Sequence, residues 1–195
     1  GIETKEEDVV TQFFMANTHD TILFFTNSGR AFQVKGYEVP ESSRTAKGKA
    51  IVNFLNISPS ESVTAVVPIS KGKKGMYLFM ATKNGVVKKV AMADFEKVRS
   101  NGLTAIKLKK DDELKWVKPS LGKDEIILVT KQGQSIRFHE RDIRATGRNA
   151  AGVRGIRLKK DDKVIGMDVI DQTLSGIGQL LVVMSKGYGK RTALE

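Results

Sequence analysis

One pattern of short alternating runs repeats along the chain and limits what it can fold into. It is clearest at 126–169, IILVTKQGQSIRFHERDIRATGRNAAGVRGIRLKKDDKVIGMDV. An apolar run at 126–129 meets the turn Lys131-Gln132-Gly133, after which Ile136 and Phe138 alternate with Ser135, Arg137 and His139. Period two over a few residues is the mark of a half-buried strand. A basic, glycine-punctuated segment follows at 141–152. A second alternating run then sets Ile156 and Leu158 against Arg157 and Lys159. Past the turn Lys160-Asp161-Asp162, the residues Ile165, Met167 and Val169 share a face. The unit is thus four short strands with a basic loop in its middle.

The same skeleton fits the rest of the chain. The turn glycine recurs as Gly29, Gly85, Gly133 and Gly187, in steps of 56, 48 and 54 residues. A second anchor, arginine followed by glycine, is Arg44/Gly48, Arg99/Gly102 and Arg148/Gly152. After it come AIVNF at 50–54, AIKL at 105–108 and GIRL at 155–158, and LKKDD occurs at both 108–112 and 158–162. Strand repeats of this period predict an all-β propeller or a related array. Helical repeats fit poorly, because no run holds a 3.6-residue period. The repeats divide the chain at roughly 9–69, 76–120, 125–170 and 179–195, about three and a half units in one partial domain.

Composition narrows the function. At 195 residues the chain can bury a sizeable core as one domain. It has no cysteine, which suits a reducing cytoplasm and excludes thiolate metal sites. No apolar run approaches the ~20 residues that span a bilayer, and the acidic start GIETKEED is no signal peptide. The formal charge is +11 and the pI about 9.8. That charge is concentrated: 131–160 holds nine basic and two acidic residues, six of the nine being arginine. Arginine forks match phosphate geometry, so the distribution points to nucleic acid.

No constellation for catalysis stands out. His19 and Asp20 sit in a predicted turn without a nucleophile, where Asp serves backbone hydrogen bonding. The pairs Asp111/Asp112 and Asp161/Asp162 read as turn residues in the same way, not as metal ligands. The basic segment 42–49 lacks the GxxxxGK[ST] pattern of a nucleotide-binding loop. Residues 8–16 (DVVTQFFMA) read as a strand, 71–75 (KGKKG) as a flexible basic turn, and Trp116 as a strand residue packed in a core or blade edge. The phenylalanines lie within apolar runs and form no stacking ladder of the kind single-strand binders use, which favours duplex.

Four stretches carry a resemblance: ANTHDTILFFTNSGR (16–30), KGYEVPESSRTAKGKAIVNFL (35–55), GRNAAGVRGIRL (147–158) and KGYGKRT (186–192). With them, essentially the whole chain resembles the C-terminal domain of the DNA gyrase A subunit. The resemblance implies a β-pinwheel, a propeller of four-stranded, hairpin-invaded blades, that binds and wraps duplex DNA around a basic rim. It implies that the bound DNA is presented to the strand-passing core of an ATP-dependent type IIA topoisomerase for negative supercoiling. Its partners would be double-stranded DNA, the B subunit of gyrase, and the rest of the A subunit, with no membrane involved. ATP and Mg2+ would be used elsewhere in that enzyme, so no cofactor, metal or catalytic residue is expected here, and none of Tyr37, Tyr77 or Tyr188 would cleave DNA. The family's glycine-rich basic box is expected before Gly1 and its last blades after Glu195, so the chain reads as a fragment. The resemblance implies a bacterial cytoplasmic, nucleoid-associated protein. The alternatives are a protein-binding propeller, here without its GH…WD signature, and the C-terminal domain of the topoisomerase IV A subunit.

The expected DNA contacts are the outward cations of the post-turn strands and middle loops. These are Arg30, Lys35, Arg44, Lys47, Lys49, Lys88, Lys89, Arg99, Arg137, Arg141, Arg144, Arg148, Arg154, Arg157, Lys190 and Arg191. Arg44, Arg99 and Arg148 have a competing structural role, holding the loop beside the anchor glycine through backbone carbonyls.

Overall fold

The structure, a computed structural model, describes residues 12–43, 48–70, 76–99, 101–171, 173, 178–183 and 186–193. Within them each turn glycine closes a hairpin. The strands are β1 (Thr21–Thr26) and β2 (Arg30–Lys35), β4 (Tyr77–Thr82) and β5 (Val86–Ala91), β8 (Glu125–Thr130) and β9 (Ser135–His139), and β12 (Gln179–Val183) and β13 (Gly189–Ala193). Gly29, Gly85, Gly133 and Gly187 all have φ between +80° and +82°, a left-handed conformation that glycine alone adopts without cost. The expected hairpins are therefore present in all four repeats.

A longer strand flanks each of the first three hairpins: β3 (Val63–Ile69), β7 (Leu114–Ser120) and β11 (Val164–Ile170). The fourth strand of a blade comes from the next repeat. β6 (Leu103–Thr104) pairs with β2, and β10 (Val153–Arg154) pairs with β5, giving the sheet orders β3-β1-β2-β6, β10-β5-β4-β7 and β11-β8-β9. β12 and β13 form a sheet of their own. β7 packs beside both β3 and β11, so these strands are the inner edges of three successive blades and β6 and β10 the outer edges.

Period two explains the stacking. In β4, Leu78 and Met80 face the first blade, in a core with Leu23, Phe25, Ala65, Val67 and Phe95. The alternate residues Phe79 and Ala81 face the third blade, with Ile126, Leu128, Val164 and Met167. A blade buried on both faces reads as a continuous apolar run, as LFMA does here.

Two expectations are corrected. The runs at 105–108 and 155–158 are not strands; the ladder is confined to the two residues before each. The reason lies in the turn glycine. Both Ala105 and Ile106 donate their N–H to the Gly29 carbonyl (2.8 and 3.2 Å), and Gly155 and Ile156 do the same at Gly85 (2.8 and 3.3 Å), so the chain bends around the hairpin instead of running on. Of the strand expected at 8–16, residues 8–11 lie outside the described residues. The rest forms no ladder, though Gln12 donates its side-chain amide to the Thr64 carbonyl at 2.8 Å.

Candidate nucleic-acid interface

The basic middle segment of the second and of the third repeat is a strap laid across the outer edge of the preceding blade. In the third repeat it leaves β9 through a 3-10 turn, Glu140–Asp142. Thr146 donates to the Lys89 carbonyl (2.9 Å), β10 pairs with β5, and Gly155 reaches Gly85. The strap therefore runs the length of β5, from its far end to its hairpin turn. The second repeat does the same over β2, through Val98 N–H on Gln33 Oε1 (3.1 Å), β6, and Ala105 on Gly29. The two straps touch where Lys107 N–H meets the Ala150 carbonyl at 3.1 Å.

The expected contact residues fall into three groups. Lys49, Arg99, Arg141, Arg144, Arg154, Arg157, Lys190 and Arg191 are exposed. Of these, Arg141, Arg144, Arg154 and Arg157 lie along or just past one strap, and among the described residues none takes part in an ion pair. A second group is committed to the fold. Arg30 pairs with Glu61 at 2.7 Å, donates to the Asn101 carbonyl and lies 4.7 Å from the Phe32 ring centroid. Arg137 pairs with Glu125, and Lys35 donates to Thr21 Oγ1 at 2.7 Å. Arg44 and Lys47 form the third group and lie outside the described residues, as does the basic turn at 71–75.

Lys88 and Lys89 correct the expectation of outward cations. Lys88 is 1% exposed, and its Nζ donates to the carbonyls of Ala105 (2.8 Å), Ala150 (3.0 Å) and Arg148, joining its own strap to the next one. Burial pushes its ammonium down to about 8, with Asp94 opposing the shift and Arg148 adding to it. Lys89 is 6% exposed; its Nζ donates to the Glu140 carbonyl (2.9 Å) over the Tyr77 ring. In a strand with both faces covered, a buried ammonium must replace its lost water with other acceptors, and the carbonyls of the neighbouring straps supply them. Arg148 is half-buried, and its carbonyl rather than its guanidinium serves as the anchor.

The acid pairs behave as turn residues. Asp112 Oδ1 accepts the N–H of Asn84 (2.9 Å), Asp162 Oδ1 that of Gln132 (3.0 Å), and Asp20 Oδ2 that of Asn17 (2.8 Å). Burial pulls the Asp162 carboxyl up, but the Thr130 hydroxyl, the N–H groups of Gln132 and Lys163 and the charge of Lys159 together hold it low. Among the described residues no group of three or more His, Cys, Asp or Glu could hold a metal. Sequence reasoning missed Lys107, Lys109, Lys110, Lys159 and Lys160, all exposed. The repeated LKKDD carries the signal, but its aspartates draw the reading toward turn chemistry and away from its lysines.

Stacked blades, the first two closed by a strand from the next repeat and edged by a basic strap, define a hairpin-invaded propeller with a cationic rim. The profile of the family described as "DNA gyrase C-terminal domain, beta-propeller" matches residues 20–70, 77–120 and 124–171. The chain belongs to that family. The DNA gyrase A subunit of Buchnera aphidicola is 45% identical over all of this chain, and that of Escherichia coli 44% identical over 97% of it. The chain spans 22% and 21% of their respective lengths. Among solved structures, the C-terminal domain of DNA topoisomerase IV superposes with a TM-score of 0.80 at 31% identity, covering 91% of this chain and 54% of that one. A DNA gyrase A C-terminal domain superposes with a TM-score of 0.74 at 23% identity, over 100% of this chain and 64% of that one, a likeness of fold.

Proposed function

We propose that this domain binds duplex DNA along its strap-bearing rim, through phosphates and without reading base sequence, and bends the duplex around it. The carrying observation is the strap of the third repeat, where Arg141, Arg144, Arg154 and Arg157 are exposed and free of ion pairs among the described residues. Bending DNA, whose persistence length is ~150 base pairs, calls for many distributed phosphate contacts, and straps on successive blades would supply them. Among the described residues no helix of recognition length is present to enter a groove, which favours contact through phosphates. Family membership favours the gyrase setting: a DNA segment held for the strand-passing core, with the B subunit of gyrase, and the rest of the A subunit, as partners. ATP and Mg2+ are then used outside this chain. In that setting the protein is cytoplasmic and nucleoid-associated; among the described residues no helix is long and apolar enough to cross a membrane.

Titration of unrelated duplexes of equal length from low to high salt tests the reading. Affinity should be the same for each duplex, and log K should fall by ~0.9 per phosphate neutralised. A flat salt response, or strong preference for one sequence, would refute it.

A further inference from the structure

We infer that the paired lysines of the two Leu-Lys-Lys-Asp-Asp turns, Lys109/Lys110 and Lys159/Lys160, form a second row of duplex phosphate contacts, set between neighbouring blades at their hairpin-turn end. The inference rests on the DNA-binding reading above and adds residues and a position to it.

Each turn is wedged between two hairpin turns and tied to both. Toward the preceding blade, Leu114 N–H meets the Asn27 carbonyl (3.0 Å) and Val164 N–H the Lys83 carbonyl (2.9 Å). Toward its own blade, Asp112 holds Asn84 N–H and Asp162 holds Gln132 N–H. Asp111 and Asp161 turn the chain in the left-handed region, with φ of 64° and 60°. In both copies the chain then closes by the bond from Asp112 or Asp162 N–H to the Lys109 or Lys159 carbonyl (3.2 Å each). The backbone under the lysines is thus fixed twice over, in the same way, while all four lysine side chains are exposed. A fixed platform leaves only the side chain to be ordered on binding. Lys107 and Arg157, also exposed, precede the pairs, so each turn offers three cations against one exposed acid, Asp111 or Asp161.

Position separates this row from the straps. Arg141 and Arg144 stand where the strap begins, at the far end of β5, whereas the lysine turns follow its exit beside the hairpin turns. In the first repeat the corresponding turn carries serines, and Glu61 accepts from Ser58 N–H at 2.9 Å, so the row starts at the second repeat.

The test compares three pairwise variants with the unaltered protein in salt titrations on short duplexes: K109Q/K110Q, K159Q/K160Q, and, as an equal-charge control off this row, K118Q/K123Q. The turn variants should melt like the unaltered protein, lose affinity, and lower the magnitude of the salt slope by up to ~2 each, while the control leaves the slope unchanged. Steep salt dependence in the unaltered protein with unchanged slopes in both turn variants would overturn the inference and leave DNA binding standing. An equal loss in the control would overturn it as mere net charge. Absence of any duplex binding by the unaltered protein would overturn the parent reading itself.

Discussion

At Lys88 the positive charge is used up by the fold. Its ammonium bonds the carbonyls of Ala105, Arg148 and Ala150, of which, among the described residues, only Ala150 has another donor, Lys107 N–H at 3.1 Å. Lys88→Met would leave two carbonyls unpartnered, at roughly 1–3 kcal/mol each, so urea unfolding should register a loss of about 2–6 kcal/mol. Arg141→Gln, at an exposed site, should stay within about 0.5 kcal/mol. A Lys88→Met midpoint equal to that of the unaltered protein would refute the clasp. Glu61 is the acidic counterpart in the first blade. Burial raises its carboxyl, but hydrogen bonds from Ser28, from Ser58 and from Thr26 outweigh that and hold it at about 2. Its folded value lies below the unfolded one of 4.5, so its stabilisation is full above pH 4.5 and is lost as pH falls through about 2. Glu61→Gln should therefore flatten the fall in stability across that interval, measured by urea unfolding at stepped pH.

Between elements, the turn glycines separate backbone conformation from the clasp of the next repeat. All need a positive φ, which costs an alanine about 1–2 kcal/mol. At Gly133 an added Cβ meets nothing within 4 Å, whereas at Gly29 it falls 2.6 Å from the Ile106 carbonyl and at Gly85 2.8 Å from Ile156 Cγ2. Gly133→Ala should thus cost only the conformational amount, and Gly29→Ala and Gly85→Ala clearly more; equal losses at all three would remove the clasp from the account. These glycines and the hairpins they close were legible in the sequence, because a turn residue between two alternating runs is a local signal. The lent strands were not. β6 and β10 are two residues long, too short for any period, and it is Gly29 and Gly85, more than 70 residues upstream in the first case, that bend the chain beside them. The same distance hid Lys88 and Lys89: a lysine's orientation depends on carbonyls that another repeat brings. Arg141, Arg144 and Arg154 were legible because a glycine-punctuated basic loop stays on the surface wherever it is laid.

For the molecule as a whole, the proposed function makes affinity for DNA a sum over straps. If five to ten cations engage, the slope of log K against log salt should lie roughly between −4 and −9. Because Lys88, Lys89 and Arg137 are held by internal partners, that slope should come from Arg141, Arg144, Arg154, Arg157 and their equivalents, and R141Q/R144Q should lower its magnitude by up to ~2 without changing the melting temperature. The lending of strands also gives the chain a clock. The first hairpin is complete in sequence at Lys35, yet its outer edge stays open until Ile106 has been made, 71 residues later. At ~5–20 residues per second of synthesis that interval is roughly 4–14 s. The first and second blades thus leave the ribosome unfinished and wait for their successors, so an arrest of translation just past either hairpin would strand it with a bare edge.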